Sequence, residues 1–377
     1  MAQGLRARGH EVEVWEYGAK PFGFLADRTL EPDGPEGFLS ALFDALSREF
    51  DVVHFHFAQS LVPPRSRLPW FWDLPVWRAL GTRIVFTFHG SDVRLKSHHL
   101  AQDKWSFYHH ADIPCDEERI AARLDVIQAY ADRMTISSVL SQPYVPDATY
   151  LPKVVETARL PMVGPVRSRR PTVLHAPSRR STKGTEFVLS GLDELRRRGV
   201  EFELDLVEGV PHEEALARAA AADVVVDKLL GGDAGVSSLE AMALGKVAVA
   251  RIRDQVRARH PDLPVVSADP ETFPDVMAEL LTSPRRRAEL GEEGREFVVR
   301  THDAAVVGEQ LDELYSGIEP RARPAVPPGW TAPSIGAQLE EARATIDRLK
   351  AKNKQLRRAL NRRKQPSRLL FRRRRAT

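Results

Sequence analysis

The sequence predicts an α/β protein made of two parallel-sheet units followed by a separate helix and a basic tail, and three observations carry that prediction. Apolar strand patterns alternate with helical patterns as far as Ile318. A polar segment bounded by prolines, PMVGPVRSRRP at residues 161–171, interrupts the series once and reads as a hinge. Beyond a proline-rich spacer, EPRARPAVPPGWTAPS at 319–334, apolar residues recur at alternating steps of four and three. At 377 residues the chain is too long for one core and suits two domains of about 150 residues with an appendage. The expected boundaries are 1–165, 171–318, a linker at 319–334, a coiled-coil helix at 335–364 and a tail at 365–377. Two Rossmann-like domains joined by one hinge face each other across a cleft, where ligands bind at the carboxyl ends of the strands.

The elements follow in order. Residues 1–8 read as the end of a helix with Gly9 as its stop, so the strand and turn expected before a first Rossmann helix are missing from the pattern. Strands are expected at 11–15, 51–57, 83–88 and 133–138, and after the hinge at 172–175. Then come a helix at 185–198, a strand at 201–208, a helix at 213–221 and a strand at 223–226. A glycine-rich loop, a short helix opened by Ser237 and Ser238, and a strand at 247–251 complete the second series. Helices at 274–281, 284–299 and 303–318 would close it.

Composition bounds the function. A single cysteine, Cys115, excludes an intrachain disulfide and a cysteine-rich zinc site, and no histidine spacing points to a metal. No apolar run reaches the length of a membrane span and the first residues lack a signal-peptide core, so a cytoplasmic location is expected. The net charge of +3 hides a division. From Ala337 onward fifteen Lys or Arg stand against three acids, a local +12 that leaves −9 on the rest of the chain.

The most informative stretch is GGDAGVSSLEAMALGKVAVA, residues 231–250. A glycine-rich loop feeding a helix start presents free backbone N–H groups and the positive end of the helix dipole, which suits a phosphate or diphosphate. Glu240, one turn in, is placed to accept hydrogen bonds from hydroxyl groups of the same ligand. An ordinary αβ unit, with its glycines merely turning the chain, would also fit the loop and helix alone. A second stretch, LHAPSRRSTKGT at 174–185, ends a strand in a loop bearing Arg179, Arg180 and Lys183, cations able to neutralise a departing diphosphate. In the first series His89 ends a strand and opens onto the cleft, with Asp92 beside it as a candidate for binding hydroxyl groups of a ligand. His54 and His56 share one side of their strand and read as structural or supporting.

Leu239-Glu240-Ala241-Met242-Ala243 followed by Gly245 and an apolar strand resembles the nucleotide-sugar signature of the retaining, family 4 glycosyltransferases, a group 1 family of GT-B type with two Rossmann-like domains. Lys183-Gly184, the stretch 131–138 and Ala222-Asp223-Val224-Val225-Val226 are similar to further parts of that family. The resemblance implies that Glu240 holds the donor ribose and that the amides of Gly235, Val236, Ser237 and Ser238 face its diphosphate. It also implies that Arg180 and Lys183 stabilise that diphosphate as it leaves, and that His89 touches the sugar near the reacting carbon. The family's second glutamate falls at Gly232, and Asp233 is the neighbouring carboxylate for a sugar hydroxyl. The expected activity is therefore metal-independent transfer, with retention, from a nucleoside diphosphate sugar to an acceptor hydroxyl on a lipid-linked or small molecule. No further cofactor is implied. The rival readings are a degenerate scaffold and a sugar-nucleotide epimerase.

In the appendage Ile335, Leu339, Ala342, Ile346, Leu349, Asn353, Leu356 and Leu360 form a heptad seam with one polar a position, a pattern that favours a parallel homodimer. The final RRKQPSRLLFRRRRAT places apolar residues between arginine clusters and suits an anionic membrane surface; no motif supports specific nucleic-acid recognition.

Overall fold

In the computed structural model of the chain, residues 1–17, 26–30, 34–62, 68–165, 169–320, 343–352 and 354–355 are described. The chain divides into two compact units, Met1–Arg323 and Pro324–Thr377. The first opens with α1 (Ala2–Ala7), β1 (Trp15–Tyr17), β2 (Arg28–Leu30) and α2 (Gly34–Leu46). Next come β3 (Val52–His56), α3 (Asp73–Ala79), β4 (Arg83–Phe88), α4 (Lys96–Gln102), α5 (Glu117–Tyr130), β5 (Arg133–Ile136) and β6 (Thr149–Tyr150). Beyond the hinge lie β7 (Thr172–His175), α6 (Arg180–Lys183), α7 (Thr185–Arg197), β8 (Glu203–Leu206), α8 (His212–Ala221) and β9 (Val224–Lys228). Then follow α9 (Val236–Ala243), β10 (Val247–Ala250), α10 (Asp254–Arg259), β11 (Val266–Ser267), α11 (Phe273–Thr282), α12 (Pro284–His302) and α13 (Ala304–Ser316).

The strands form two larger parallel sheets, ordered β3-β4-β5-β6 and β11-β10-β9-β7-β8. Parallel neighbours need crossovers, which the intervening helices supply, and strands covered on both faces are apolar throughout. Thus Ile84, Val85, Phe86 and Phe88 of β4 and Val224, Val225 and Val226 of β9 are all buried. The register sets Val226 beside His175 on one side and Val249 on the other, so the carboxyl ends of β7, β9 and β10 open at one rim.

Four local differences from the predicted elements have identifiable causes. The strand expected at 11–15 begins only at Trp15 and pairs with β2, outside the larger sheets, because Asp27 engages Val14. Its carboxylate takes the Val14 N–H at 2.6 Å while the Val14 carbonyl accepts from the N–H of Asp27 and Arg28. The segment expected as a loop before α7 is the single turn α6, stopped by Gly184 in the left-handed conformation (φ +76°). Strand β9 runs past the expected end at Val226 to Lys228, which brings Asp227 into the rim.

The fourth concerns α13, expected to close the second series, which instead packs on α1. The backbones of Gly4 and Gly308 touch, and a Cβ on Gly308 would lie 2.7 Å from Gly4 Cα. Leu5, Leu151, Val307 and Leu311 form the small core there. Tyr315 then reaches the first sheet, its hydroxyl 2.6 Å from His54 Nδ1, while His54 Nε2 meets Thr87 Oγ1 at 2.6 Å. His54 is thus a buried strut.

Burial, with repulsion from His89 added, pushes the His54 pKa down to about 3; burial first and the Lys153 charge second take His89 to about 4. Burial also takes His302 to about 4. Groups whose folded pKa is depressed bind fewer protons in the native state, so their contribution is complete above the unfolded value of about 6.5 and is lost as pH falls toward 4. Urea unfolding midpoints are therefore expected to drop steeply between pH 6.5 and 4; a flat profile over that range contradicts the buried-histidine packing.

In the second unit residues 343–352 are helical, with Leu349 61% exposed. Ile335, Leu339, Ala342, Asn353, Leu356 and Leu360 of the seam, and the basic tail, lie outside the described residues. Among the described residues no helix is long and apolar enough to cross a membrane.

Candidate active site

The rim of the second sheet is organised by a carboxylate the sequence reading did not single out. Asp227, its side chain fully buried, pairs with Lys183 Nζ, accepts the Gly235 N–H at 2.7 Å and accepts the Ser238 hydroxyl at 2.8 Å. One group thereby ties the cation after β7 to the loop and first turn of α9. Burial alone would raise the Asp227 pKa; the positive charges of Lys183 and Lys228 and the hydrogen bonds outweigh it and hold the group ionised far below the usual carboxylate range. Gly235 must be glycine for this to happen, since a Cβ there would strike the Asp227 carboxylate. Ser238 is not a helix cap, and neither is Ser237: α9 begins at Val236, Gly235 holds the cap position, and no side chain caps it. The first amides of α9 therefore remain for a ligand.

Glu240 stands one turn further, 17% exposed, with His212 Nε2 2.7 Å from Oε1. Burial raises its pKa, and His212 opposes that shift. Asp233 pairs with Lys153 at 2.8 Å, a lysine that follows β6 of the first sheet. Burial pushes the Asp233 pKa up, but Lys153, then Lys228, bring it below the ordinary value. Lys228 itself is lowered to about 8 by burial, against the pull of Asp227.

On the first sheet His89 sits just past β4, with His56 Nδ1 3.0 Å from its Nε2 and the Phe57 ring 4.2 Å from its own. Asp92 is buried and folded back on this turn, accepting the N–H of His89 at 3.0 Å and of Gly90 at 2.7 Å. Its carboxylate orients the histidine turn rather than standing free toward an acceptor.

The two sheets meet through side chains. Asp103, fully buried, receives both terminal nitrogens of Arg251, at 2.8 and 2.6 Å. Trp105 lies edge-on to Phe187 at 5.7 Å, and Lys153–Asp233 spans the same gap. Lys183, Asp233, Gly235, Val236, Ser237, Ser238 and Glu240 thus share one rim, on which Lys183 pairs with Asp227 and Glu240 feels the Asp227 charge. Arg180 is not drawn into that set: it is engaged by Glu186 at 3.1 Å and Glu208 at 2.9 Å. Asp227, His212 and Lys153 are the side chains the sequence reading missed. Only Asp227 had a visible signal, an acid at the end of an apolar strand with Ser238 breaking the apolar register of α9.

Gly232, where the resembled family has a glutamate, adopts φ +88°, and a Cβ on it would run into the Arg253 side chain. Gly232→Glu is expected to lower the thermal midpoint through backbone strain of about 1–3 kcal/mol. An unchanged midpoint would contradict the loop geometry.

No family model matches the chain, and no curated protein matches it. Among solved structures it is similar to sucrose-phosphate synthase from Thermosynechococcus elongatus (15% identity, 83% of this chain and 90% of that chain, TM-score 0.57). It is also similar to Anabaena Alr3699/HepE in complex with UDP-glucose (12%, 76% and 84%, TM-score 0.51). A glycosyltransferase from Rickettsia africae ESF-5 gives comparable values (12%, 76% and 83%, TM-score 0.51). The fold of the first unit is that of the GT-B glycosyltransferases, α/β with two Rossmann-like parallel sheets.

Proposed function

We propose that the chain is a retaining glycosyltransferase of the family 4 type, moving a sugar from a nucleoside diphosphate donor to an acceptor hydroxyl without a metal. The observation that carries this reading is the union of Lys183 with the start of α9 through Asp227, with Glu240 on the same rim. A diphosphate placed there meets a cation on one side and backbone N–H groups with a helix dipole on the other. The structure of HepE with UDP-glucose supports a donor of this chemistry.

In the reaction Glu240 anchors the ribose, held in place by His212. Lys183 and the amides of Val236, Ser237 and Ser238 take up the charge that develops on the diphosphate as the sugar–oxygen bond breaks, while the Gly235 N–H stays on Asp227. Arg180 joins only by exchanging Glu186 and Glu208 for phosphate oxygens. Neutral His89, kept unprotonated by burial, orients the sugar from the opposite sheet. The acceptor hydroxyl attacks the face the diphosphate leaves and gives its proton to a diphosphate oxygen. The coiled-coil seam pairs two copies, and the basic tail holds them on an anionic membrane surface.

Incubation with a panel of nucleotide sugars and simple hydroxyl acceptors, with the product anomer read by NMR, tests the reading. The expected result is turnover with the donor's anomeric configuration kept. Inversion refutes retention; absence of both transfer and donor hydrolysis, with tight vesicle binding, refutes the enzyme in favour of a scaffold.

A further inference from the structure

Beside the nucleotide loop stand two arginines that the reading above leaves without a task. Arg253 follows β10 and lies against Gly232, filling the space a side chain there would need, and its own N–H donates to the Gly232 carbonyl at 2.9 Å. Arg94 comes from the first sheet, in the turn that carries His89: its Nη2 lies 2.6 Å from where a Cβ on Gly90 would be. Its guanidinium sits 5.2 Å from the centre of the Phe107 ring, and Phe107 Cδ1 is 3.8 Å from the Cβ position of Gly231. Arg253, Gly232, Gly231, Phe107 and Arg94 therefore form one continuous wall across the gap.

Both guanidinium groups are only partly exposed, and among the described residues no carboxylate forms an ion pair with either. Arg251, their neighbour, shows the alternative, since Asp103 takes both of its terminal nitrogens. His99, buried behind the wall, has its pKa taken down to about 4 by burial and then by Arg94, with Arg253 and Arg251 adding to it and Asp103 opposing. Arg94 meets the Tyr108 side chain and feels the Asp92 charge, and Arg253 feels that of Asp103, but neither has a carboxylate in direct ion-pair contact among the described residues, so an anionic ligand would complete their pairing. Gly232 to Gly235 is three residues, about 10 Å of extended chain at most, so a sugar on a diphosphate at α9 would reach this wall.

We propose that Arg253 and Arg94, across the Gly231–Gly232 loop, form a second anion subsite that selects a sugar bearing a carboxylate or phosphate, carried by the donor or by the acceptor. The proposal rests on the glycosyltransferase reading and narrows its substrates to acidic sugars. Bidentate guanidinium–carboxylate or guanidinium–phosphate pairing supplies the selectivity, and Gly232, its side filled by Arg253, brings no carboxylate that would repel such a group.

The test uses the full chain and isothermal titration. UDP, GDP, ADP and dTDP are first compared to find the nucleotide that binds. In the donor arm the hexose and hexuronate forms of that nucleotide sugar are compared, as UDP-glucose and UDP-glucuronate for uridine. In the acceptor arm glucose and glucose 6-phosphate are titrated with and without the nucleotide. The expected result is a preference of at least tenfold for the anionic sugar in one arm. That preference should be lost in Arg253→Gln, only partly restored in Arg253→Lys, which keeps the charge without the bidentate fork, and accompanied by nucleotide binding within twofold of the original. Arg94→Gln repeats the test from the other sheet should Arg253→Gln fail to fold. No preference in either arm, or equal loss of nucleotide and anionic-sugar binding in the variants, overturns the subsite. Failure of every nucleotide to bind overturns the glycosyltransferase reading instead, and the nucleotide-free glucose 6-phosphate titration then still decides the subsite.

Discussion

Lys183→Met is expected to cost the protein about 3 kcal/mol of stability and to lower sugar transfer roughly 100-fold or more. The two losses have different origins and can be separated. The first arises because Asp227 is fully buried and stays there without its cation, retaining only the Gly235 and Ser238 donors. The second arises because, among the described residues, no other cation on the rim is hydrogen-bonded to the carboxylate that holds the start of α9. Lys183→Met combined with Asp227→Asn removes the unpaired charge, so urea unfolding of the double variant should recover much of the lost stability while transfer stays low. If the double variant regains transfer, Lys183 acts only through the fold. If the single variant is as stable as the original, the buried pair is not formed.

Arg251→Met should cost at least as much stability, about 3–5 kcal/mol. Asp103 is fully buried and its two oxygens are taken by one guanidinium from the other sheet, so removing Arg251 leaves an anion between the domains. Burial would raise the Asp103 pKa, and the Arg251 hydrogen bond and charge bring it below the ordinary value. In the variant that carboxyl is expected to take up a proton on folding, so the stability deficit should shrink as pH falls from 7 toward 4. Denaturant unfolding of the two proteins at both pH values measures this; a deficit below about 1 kcal/mol would mean the pair is solvated and weak.

The sheets were legible because strands covered on both faces are written as apolar runs, as Ile84–Phe88 and Val224–Val226 are. The candidate rim was legible as local structure where backbone chemistry dictates residue type: glycines before a helix start, a glutamate one turn in, and a lysine before the left-handed Gly184. What escaped is what depends on side chains meeting across distant segments. His212 reaches Glu240 over 28 positions and Lys153 reaches Asp233 over 80, and nothing local marks either. Arg180 looked equivalent to Lys183 by charge, yet the acids that engage it, Glu186 and Glu208, lie on neighbouring elements. The packing of α13 on α1 depends on two glycines, Gly4 and Gly308, placed at opposite ends of the first unit. The strand expected at 11–15 was displaced by a single carboxylate, Asp27, competing for the Val14 backbone.

The claim beneath this account is that a nucleoside diphosphate bridges Lys183 and the first turn of α9 with its ribose on Glu240. Calorimetric titration of the nucleoside diphosphate that binds the full chain tests it directly, comparing the original protein with Lys183→Met/Asp227→Asn and with Glu240→Ala. Each variant should bind at least tenfold more weakly than the original. Equal affinity in all three proteins would place the nucleotide elsewhere and contradict the account.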